Sequence, residues 1–178
     1  EDPVEFNFDG INQVAVKSDI GLTFAAALRS FLRQDPDIVM VGEIRDTETA
    51  EIAIRAALTG HLVFSTLHTN DAPSSVTRLM DMGIPNYLVA SATKLILAQR
   101  MCRKVCQSCK QEINLTSEQV ESLAVPKEQL RNLRAFKGTG CGECNSTGQS
   151  GRTGIYEVLP ITPAIEKLFR LACPGNNA

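Results

Sequence analysis

DPDIVMVGEIRD, residues 35–46, is the stretch that decides the fold. Its apolar run from Ile38 to Val41 shows no polar alternation, which is typical of a strand covered on both faces of a parallel sheet. Glu43 follows this run closely, and open α/β sheets bind their ligands at the carboxyl ends of the strands. We therefore expect Glu43 to hold a metal-bound or polarised water, although an acidic residue that merely opens a surface loop would give the same local pattern.

Strand and helix patterns alternate around this stretch. Thr23 is the predicted N-cap of the helix that precedes it, and Asp46 or Thr47 is the predicted N-cap of the helix that follows. Gly60 is expected to end that second helix, and residues 62–67 are predicted to form a second buried strand. This order predicts βαβ units with a largely parallel sheet, that is, an α/β fold.

The segment after the second strand is predicted to be helical. One helix is expected to begin near Pro73 and to end at Gly83, and a long helix is expected to span residues 85–103. Towards the C-terminus, residues 154–159 have the pattern of a strand and residues 162–171 the pattern of a helix.

Composition divides the chain at Cys102, where a polar, turn-rich and cysteine-bearing segment begins. We predict three parts from this change. They are an α/β core over residues 1–101, a tetracysteine module over residues 102–150, and a return strand with a C-terminal helix over residues 151–178.

Charge and composition argue against nucleic-acid binding and against a membrane span. The first 101 residues carry a net charge of −5 (8 Lys and Arg against 13 Asp and Glu), and aromatic residues make up only 5% of the chain. Residues 102–178 carry +3 (10 Lys and Arg against 7 Asp and Glu). Neither charge is typical of a nucleic-acid binder, and a base-stacking platform is not expected. No run approaches the roughly 18 to 20 apolar residues that cross a bilayer. The acidic first residues do not resemble a signal peptide, and we expect a cytoplasmic protein.

Four cysteines form two C-x-x-C pairs, Cys106 with Cys109 and Cys141 with Cys144. Each pair can present two thiolates from a tight turn, and two such turns complete a tetrahedral zinc site. Because four thiolates would leave no open coordination position, we expect a structural Zn²⁺ rather than a catalytic one. Free or oxidised thiols are the alternative.

The interval between the two pairs is long enough to hold a helix, which we predict at residues 117–123 or 127–133. Cys102 is expected to pack as a small residue on the predicted long helix, and Cys173 has no C-x-x-C partner.

Four motifs together resemble those of the type II secretion and type IV pilus assembly ATPases. EDPVE at residues 1–5 resembles the Asp box of that family, and LRQDPDIVMVGEIRD at residues 32–46 resembles its atypical Walker B motif. TGHLVFSTLHTNDA at residues 59–72 resembles its His box. GCGECNSTGQSGRTGIYEVLPI at residues 140–161 resembles its second cysteine pair and the strand that follows.

The resemblance implies a RecA-like P-loop NTPase core that carries a small tetracysteine subdomain. Such a protein is expected to hydrolyse ATP with Mg²⁺ as a homo-hexamer at the cytoplasmic face of the inner membrane. Its expected partners are an inner-membrane platform protein and cytoplasmic docking proteins of a pilus or secretion machine. Pilus-retraction relatives lack the paired C-x-x-C turns, so retraction is disfavoured.

The sequence departs from the family pattern in one respect. No G-x-x-x-x-G-K-[ST] motif, whose amides and lysine cradle phosphates, occurs in the 178 residues. In the family this motif precedes the Asp box, so the resemblance implies that it lies upstream of Glu1 in a longer protein. We therefore expect a partial core without the phosphate-loop strand, which binds ATP weakly and does not turn over by itself.

The resemblance also implies roles for acids and histidines. Glu43 is expected to act on Mg²⁺ through water, and Glu1 to polarise the attacking water. His68, together with His61, is expected to sense the γ-phosphate and to relay its state to the next subunit. Positions 61 and 68 fall on opposite faces of an extended strand, so both can face one site only if the strand ends between them.

Three arginines, Arg29, Arg33 and Arg45, are candidates for contacts with phosphate or with a neighbouring subunit, although solvated charges would look the same. Two other functions stay open. One is a non-catalytic docking module, in which the zinc subdomain binds a membrane-platform protein. The other is a zinc-ribbon nucleic-acid binder, which the acidic first half and the few aromatic residues disfavour.

Overall fold

The computed structural model describes residues 1–122 and 134–171. The chain divides into two compact units. The core unit comprises Glu1–Ala98 and Glu157–Ala178, and the cysteine unit comprises Gln99–Tyr156. The cysteine unit therefore begins slightly before, and ends slightly after, the predicted module of residues 102–150.

The core unit contains a two-stranded parallel sheet. Strands β1 (Ile38–Val41) and β2 (Leu62–Ser65) pair in register, with Ile38 opposite Leu62 and Val41 opposite Ser65. This confirms the predicted parallel pairing. It also places the carboxyl ends of both strands, and the residues that follow them, at the same edge of the sheet.

The prediction that β1 is covered on both faces is wrong for the described structure. Val39 and Val41 are each 4% exposed and belong to the hydrophobic core, whereas Ile38 is 62% and Met40 63% exposed. Successive side chains of a strand point to opposite faces, so the core covers one face of β1 and leaves the other open. An apolar run shows that both faces of a strand can be buried. It does not show whether other elements cover both faces.

Helices α1 (Phe24–Phe31) and α2 (Thr47–Leu58) begin with side-chain caps. Thr23 Oγ1 accepts a hydrogen bond from the Ala26 N–H at 3.2 Å, as predicted. Asp46, rather than Thr47, caps α2, because its Oδ1 accepts a hydrogen bond from the Thr49 N–H at 2.8 Å. Gly60 follows the end of α2 with a φ of 107°, a conformation that favours glycine.

Helix α3 (Ala72–Asp81) has Asp71 at its N-cap and Pro73 in its first turn. Helix α4 (Asn86–Ala92) follows, so the predicted long helix over residues 85–103 is wrong. Its second half forms strand β3 (Leu95–Val105), which pairs with strand β6 (Gln149–Pro160). The helix-forming residues of this segment adopt a strand because β6, distant in sequence, supplies its backbone partners. Cys102 consequently lies exposed on a strand instead of packing on a helix.

A short helix α5 (Ser117–Ser122) lies in the cysteine unit. Helix α6 (Pro163–Leu171) corresponds to the predicted C-terminal helix at residues 162–171. Helix α6 packs on α4 in the core unit. Arg170 donates to Ser91 Oγ at 2.7 Å, and Asn86 Nδ2 donates to the Arg170 carbonyl at 3.1 Å. The predicted strand over residues 154–159 lies inside β6.

The hydrophobic core is built mainly from the buried faces of α1 to α4 and from β1. Its buried members are aliphatic or Met side chains that contact one another across these elements. They are Leu28, Val39, Val41, Ile44, Ala50, Ala53, Ile54, Val76, Leu79, Met82, Ile84 and Val89. Within the two described ranges, no helix is long and apolar enough to cross a membrane.

The cysteine unit has its own antiparallel pair of strands. Strands β4 (Lys110–Ile113) and β5 (Ala135–Gly138) pair with Lys110 opposite Gly138 and Ile113 opposite Ala135. Helix α5 corresponds to the predicted helix at residues 117–123. The alternative at residues 127–133 lies outside the described residues, as does Cys173.

Candidate active site

The residues that follow β1 and β2 lie side by side. Thr66 Oγ1 donates to the Gly42 carbonyl at 2.6 Å, and the Ile44 N–H donates to the Thr66 carbonyl at 3.1 Å. These bonds extend the strand pairing past the ends of the strands. They bring the segment that carries Glu43 next to the segment that carries His68.

Glu43 and His68 contact each other at this edge. Nε2 of His68 lies 3.1 Å from Oε2 of Glu43, and Nη2 of Arg45 lies 2.5 Å from Oε1 of the same carboxylate. The Glu43 side chain is 14% exposed, whereas the His68 side chain is 85% exposed. The carboxylate is therefore held between two cationic or polar partners, and the imidazole remains open to a ligand.

The pKa of Glu43 lies below its usual value. The hydrogen bond from Arg45 is the main cause, and His68 adds to it, while partial burial acts in the opposite direction. The same contact raises the pKa of Arg45. Glu43 is consequently an ionised acceptor at neutral pH, which suits the binding of water around a cation.

The first two residues of the chain lie beside this edge. A Cβ added at Gly42 would lie 3.5 Å from Cα of Glu1, and Arg45 Nη1 is 3.9 Å from an oxygen of Asp2. The backbone nitrogen of Glu1 donates to the Val14 carbonyl at 2.9 Å, which fixes the backbone from which the Glu1 carboxylate extends. The structure therefore brings Glu1 into the neighbourhood of Glu43.

His61 does not join the site. Its Nδ1 lies 3.0 Å from the Ala56 carbonyl and 3.2 Å from Thr59 Oγ1, at the end of α2. It precedes β2, whereas His68 follows it, so the two histidines lie at opposite ends of the strand. The geometry gives His61 a local contact with the end of α2.

The three candidate arginines have different surroundings. Arg29 pairs with Glu48 at 2.6 Å, and both side chains are more than half exposed. Arg33 is exposed in a short 3-10 turn after α1. Arg45 alone of the three contacts Glu43, so it belongs to the site and not to a remote surface.

Sequence reasoning did not identify Thr66 as part of the arrangement. Only the position of Thr66 in the sequence could have identified it, because Thr66 follows β2 directly as Gly42 follows β1.

An open groove of about 310 Å³ lies next to His68. It is lined by His68, Thr69, Asn70, Ser74, Thr77, Arg78 and Asp81.

The four predicted cysteine ligands converge in the cysteine unit. Their sulfur atoms all lie within 4.8 Å of one another, and the closest Sγ–Sγ distances are 3.7, 3.8 and 3.9 Å. A tetrahedral zinc site with Zn–S bonds of about 2.3 Å has sulfur atoms about 3.8 Å apart. The cluster therefore has the dimensions of a four-thiolate metal site.

Backbone hydrogen bonds favour the thiolate form of Cys144. The N–H groups of Cys141 and Gly148 each lie 3.2 Å from its sulfur. Burial by itself would raise the pKa of the Cys144 thiol, but these two donors and the neighbouring thiols lower it to about 6. Ser108 Oγ donates to Glu143 at 2.5 Å, which joins the two C-x-x-C turns.

Sequence comparison places these features in a known family. The family described as "Type II/IV secretion system protein" matches residues 1–174. The type IV pilus assembly ATPase PilB of Myxococcus xanthus is 56% identical over 169 residues, covering 94% of this chain and 30% of that protein. The type II secretion system ATPase E of Vibrio cholerae is 51% identical over 169 residues, covering 95% of this chain and 33% of that protein.

Comparison with solved structures gives the same fold. A crystal structure of the pilus retraction motor PilT with bound ADP matches 97% of this chain and 40% of that chain, with a TM-score of 0.64 and 32% identity. The Legionella pneumophila ATPase DotB shares the fold with a TM-score of 0.59 at 22% identity, covering 94% of this chain and 37% of that chain. The chain thus spans about a third of the length of the curated relatives that it matches.

Proposed function

The chain belongs to the type II/IV secretion system protein family, and from this premise we propose that the intact protein is an ATPase that powers type IV pilus assembly or type II protein secretion. The contact of 3.1 Å between Glu43 Oε2 and His68 Nε2, at the ends of adjacent parallel strands, carries this proposal. Relatives named as ATPases of both systems support it.

Glu43 is the proposed acid next to the metal. Arg45 keeps the pKa of this carboxyl low, so Glu43 stays ionised and can hold the water molecules that surround a Mg²⁺ ion. Mg²⁺, when bound with ATP, neutralises the negative charge that develops on the phosphate oxygens. Arg45 acts as a positioning residue, because it fixes the carboxylate through a contact of 2.5 Å.

Glu1 is the proposed acceptor for the proton of the attacking water. Its backbone is fixed by bonds to Val14 and Val16, and it lies beside Gly42, directly before Glu43. Gln13 Nε2 lies 3.4 Å from the Glu1 carboxylate and can help to orient it. A carboxylate held at a defined place near the phosphate is what water activation in phosphoryl transfer requires.

His68 is the proposed sensor of the γ-phosphate. With 85% of its side chain exposed, the imidazole can exchange Glu43 for a phosphate oxygen or contact a neighbouring subunit. Arg29 and Arg33 are exposed cationic residues and remain candidates for contacts across a ring of subunits. His61 is proposed to stabilise the end of α2 rather than to act in this relay, because it contacts Ala56 and Thr59.

The proposed assembly is a homo-hexamer with a RecA-like core. Its proposed place is the cytoplasmic face of the inner membrane, where it would bind a platform protein and cytoplasmic docking proteins. The families of its named relatives support this setting, since they include pilus assembly and type II secretion ATPases. We favour assembly or secretion over pilus retraction, because the named assembly and secretion relatives are 56% and 51% identical to this chain, whereas the retraction motor PilT is 32% identical.

The cysteine cluster is proposed to hold one structural Zn²⁺. Cys106, Cys109, Cys141 and Cys144 supply four sulfur atoms within 4.8 Å of one another, and backbone N–H groups favour the thiolate of Cys144. Zn²⁺, when bound, joins two turns that lie far apart in sequence and so stabilises the cysteine unit. A site that used all four thiolates would leave no coordination position for substrate.

A second candidate function is docking without catalysis. The cluster and its strands lie in a compact unit, Gln99–Tyr156, that contains none of Glu1, Glu43 and His68. Such a unit could bind a membrane-platform protein independently of ATP hydrolysis. The discriminating observation is binding of the purified platform protein to a protein whose ATPase site is inactive.

ATP hydrolysis by the full-length protein tests the main proposal. We expect turnover that requires Mg²⁺ and stops when EDTA removes the ion. Residues 1–178 alone are expected to show no turnover, because the phosphate-cradling G-x-x-x-x-G-K-[ST] motif is not among them. A full-length protein that binds the platform protein but never hydrolyses ATP would favour the docking function instead.

A further inference from the structure

Glu157 is a residue to which the proposed reaction assigns no role, and it contacts the first residue of α3, directly after the loop that carries His68. The loop spans residues 66–71, between β2 and α3. His68 is 85% exposed and is placed by its contact with Glu43, with little packing around the imidazole. Its position therefore depends on how firmly the backbone of the loop is fixed at each end.

The first end of this loop is fixed to β1. Thr66 exchanges hydrogen bonds with Gly42 and Ile44, which flank Glu43. Further along, Thr69 Oγ1 lies 2.8 Å from Ser75 Oγ, which ties the loop to the first turn of α3. Of these contacts, the one between Thr69 and Ser75 depends on where α3 begins.

The second end of the loop is fixed by Glu157. Its Oε2 accepts a hydrogen bond of 2.8 Å from the N–H of Ala72, the first residue of α3, although the two residues are 85 positions apart. Ala72 is fully buried, with 0% exposure, so water cannot easily replace the carboxylate at this N–H. The carboxylate also lies at the positive end of α3, where negative charge is favoured.

We propose that Glu157 is a positioning residue that fixes the start of α3 and thereby holds His68 opposite Glu43. Asp71 caps the same helix by accepting from Ser74, which is a contact within the local sequence. Glu157 supplies the long-range contact that orients this capped helix within the core unit. The proposal extends the proposed ATPase function, since it assigns a supporting residue to the same site.

Nuclear magnetic resonance on residues 1–178 tests the structural step without any need for turnover. Glu157→Ala removes the acceptor, Glu157→Met removes it while keeping the side-chain length, and Glu157→Gln keeps a carbonyl oxygen that can accept. We expect Ala and Met to abolish slow exchange of the Ala72 amide and to shift the His68 ring resonances, and Gln to preserve most of both. Glu51→Ala, which removes another exposed carboxylate from the core unit, is the control and should change neither.

Kinetics on the full-length protein test the functional step. We expect Glu157→Ala to lower kcat for ATP by roughly 10- to 100-fold, as displacement of a positioned group does, with Glu157→Gln restoring most of the rate. In a His68→Ala background, Glu157→Ala should lower kcat no further, because the two residues act together.

The outcomes separate this proposal from the proposed function. Unchanged Ala72 exchange and His68 resonances in Glu157→Ala and Glu157→Met would overturn the positioning role, whatever the activity. If Glu157→Ala does not fold, the comparison of Met with Gln decides by the same criterion. If Glu157→Ala and Glu157→Met abolish slow Ala72 exchange and shift the His68 resonances, while the wild-type full-length protein hydrolyses no ATP, the positioning role is supported and the ATPase function is contradicted.

Discussion

Nε2 of His68 lies 3.1 Å from Oε2 of Glu43, although the two residues are 25 positions apart in the chain. The contact exists because β1 and β2 are parallel, and because Thr66 and Ile44 continue their pairing beyond the strands. Two polar side chains that each follow an apolar strand are thereby placed at one edge of the sheet. That edge is where α/β proteins bind their ligands.

Removal of Arg45 should raise the pKa of Glu43. Arg45 is the main cause of its low value, whereas partial burial acts the other way, so Arg45→Met leaves the opposing effect in place. In the wild type, the stabilisation from this ionised carboxylate is lost only as pH falls through the lowered pKa. We expect the variant to lose it at higher pH. A pH titration of the Glu43 carboxyl carbon by NMR measures the change.

Arg55→Met is the control for this titration, because Arg55 pairs with Glu51 at 3.8 Å on the surface of α2 and does not contact Glu43. An unchanged Glu43 titration in Arg45→Met would mean that the Arg45 contact does not set the ionisation of the site.

The two histidines should differ in their effect on hydrolysis. We expect His68→Ala to lower kcat of the full-length protein on the order of 100-fold, as loss of one preorganised polar group at a reacting phosphate does. His61→Ala should keep kcat and lower the free energy of unfolding by about 1 kcal/mol, because it loses local hydrogen bonds at the end of α2. Steady-state ATP hydrolysis and urea denaturation measure the two effects. Equal losses of kcat in the two variants would contradict the different placements of the histidines.

Zinc content should depend on the cluster and not on every cysteine. We expect about one zinc per chain in the wild type and nearly none in Cys109→Ser, since three thiolates leave the tetrahedral set incomplete. Cys102→Ser is the matched control, because Cys102 is an exposed thiol outside the cluster. Elemental analysis of the purified proteins gives the values. Full zinc content in Cys109→Ser would contradict the ligand assignment.

Gly138 should tolerate no side chain. A Cβ at this position would clash with the carbonyl oxygen of Gly148, a backbone atom that also accepts from the Cys106 N–H. We expect Gly138→Ala to separate these backbones and to weaken zinc binding at least tenfold, which competition with a chelator measures.

Gly142→Ala is the matched control for this prediction, because a Cβ there meets no atom within 4 Å. We expect Gly142→Ala to retain wild-type zinc affinity. Equal affinity in the two variants would show that the close approach of Gly138 and Gly148 is not required.

Local sequence was sufficient for the features that depend on neighbouring residues. The cap Thr23, and Asp46 as one of the two candidates for the cap of α2, follow from side chains that can reach an N–H three residues later. The parallel pairing of β1 with β2 follows from a strand–helix–strand order. The convergence of the four cysteines follows from two C-x-x-C pairs, each of which fixes two thiols.

Features that depend on distant partners could not be predicted in the same way. Residues 95–103 have good helix formers, but their pairing with β6 makes them a strand. The exposure of Ile38 and Met40 depends on which faces other elements cover. The contact between Glu157 and Ala72 joins residues 85 positions apart, and no local sequence pattern predicts it.

The central claim is that Glu43 acts on a nucleotide at the edge it shares with His68. Single-turnover ATP hydrolysis by the full-length Glu43→Gln protein, with ATP binding measured in parallel and Glu51→Gln as control, tests it most directly. We expect Glu43→Gln to bind ATP nearly as the wild type does and to lower the hydrolysis rate by a factor on the order of 1,000, while Glu51→Gln hydrolyses ATP normally. Hydrolysis at the wild-type rate by Glu43→Gln would contradict the claim.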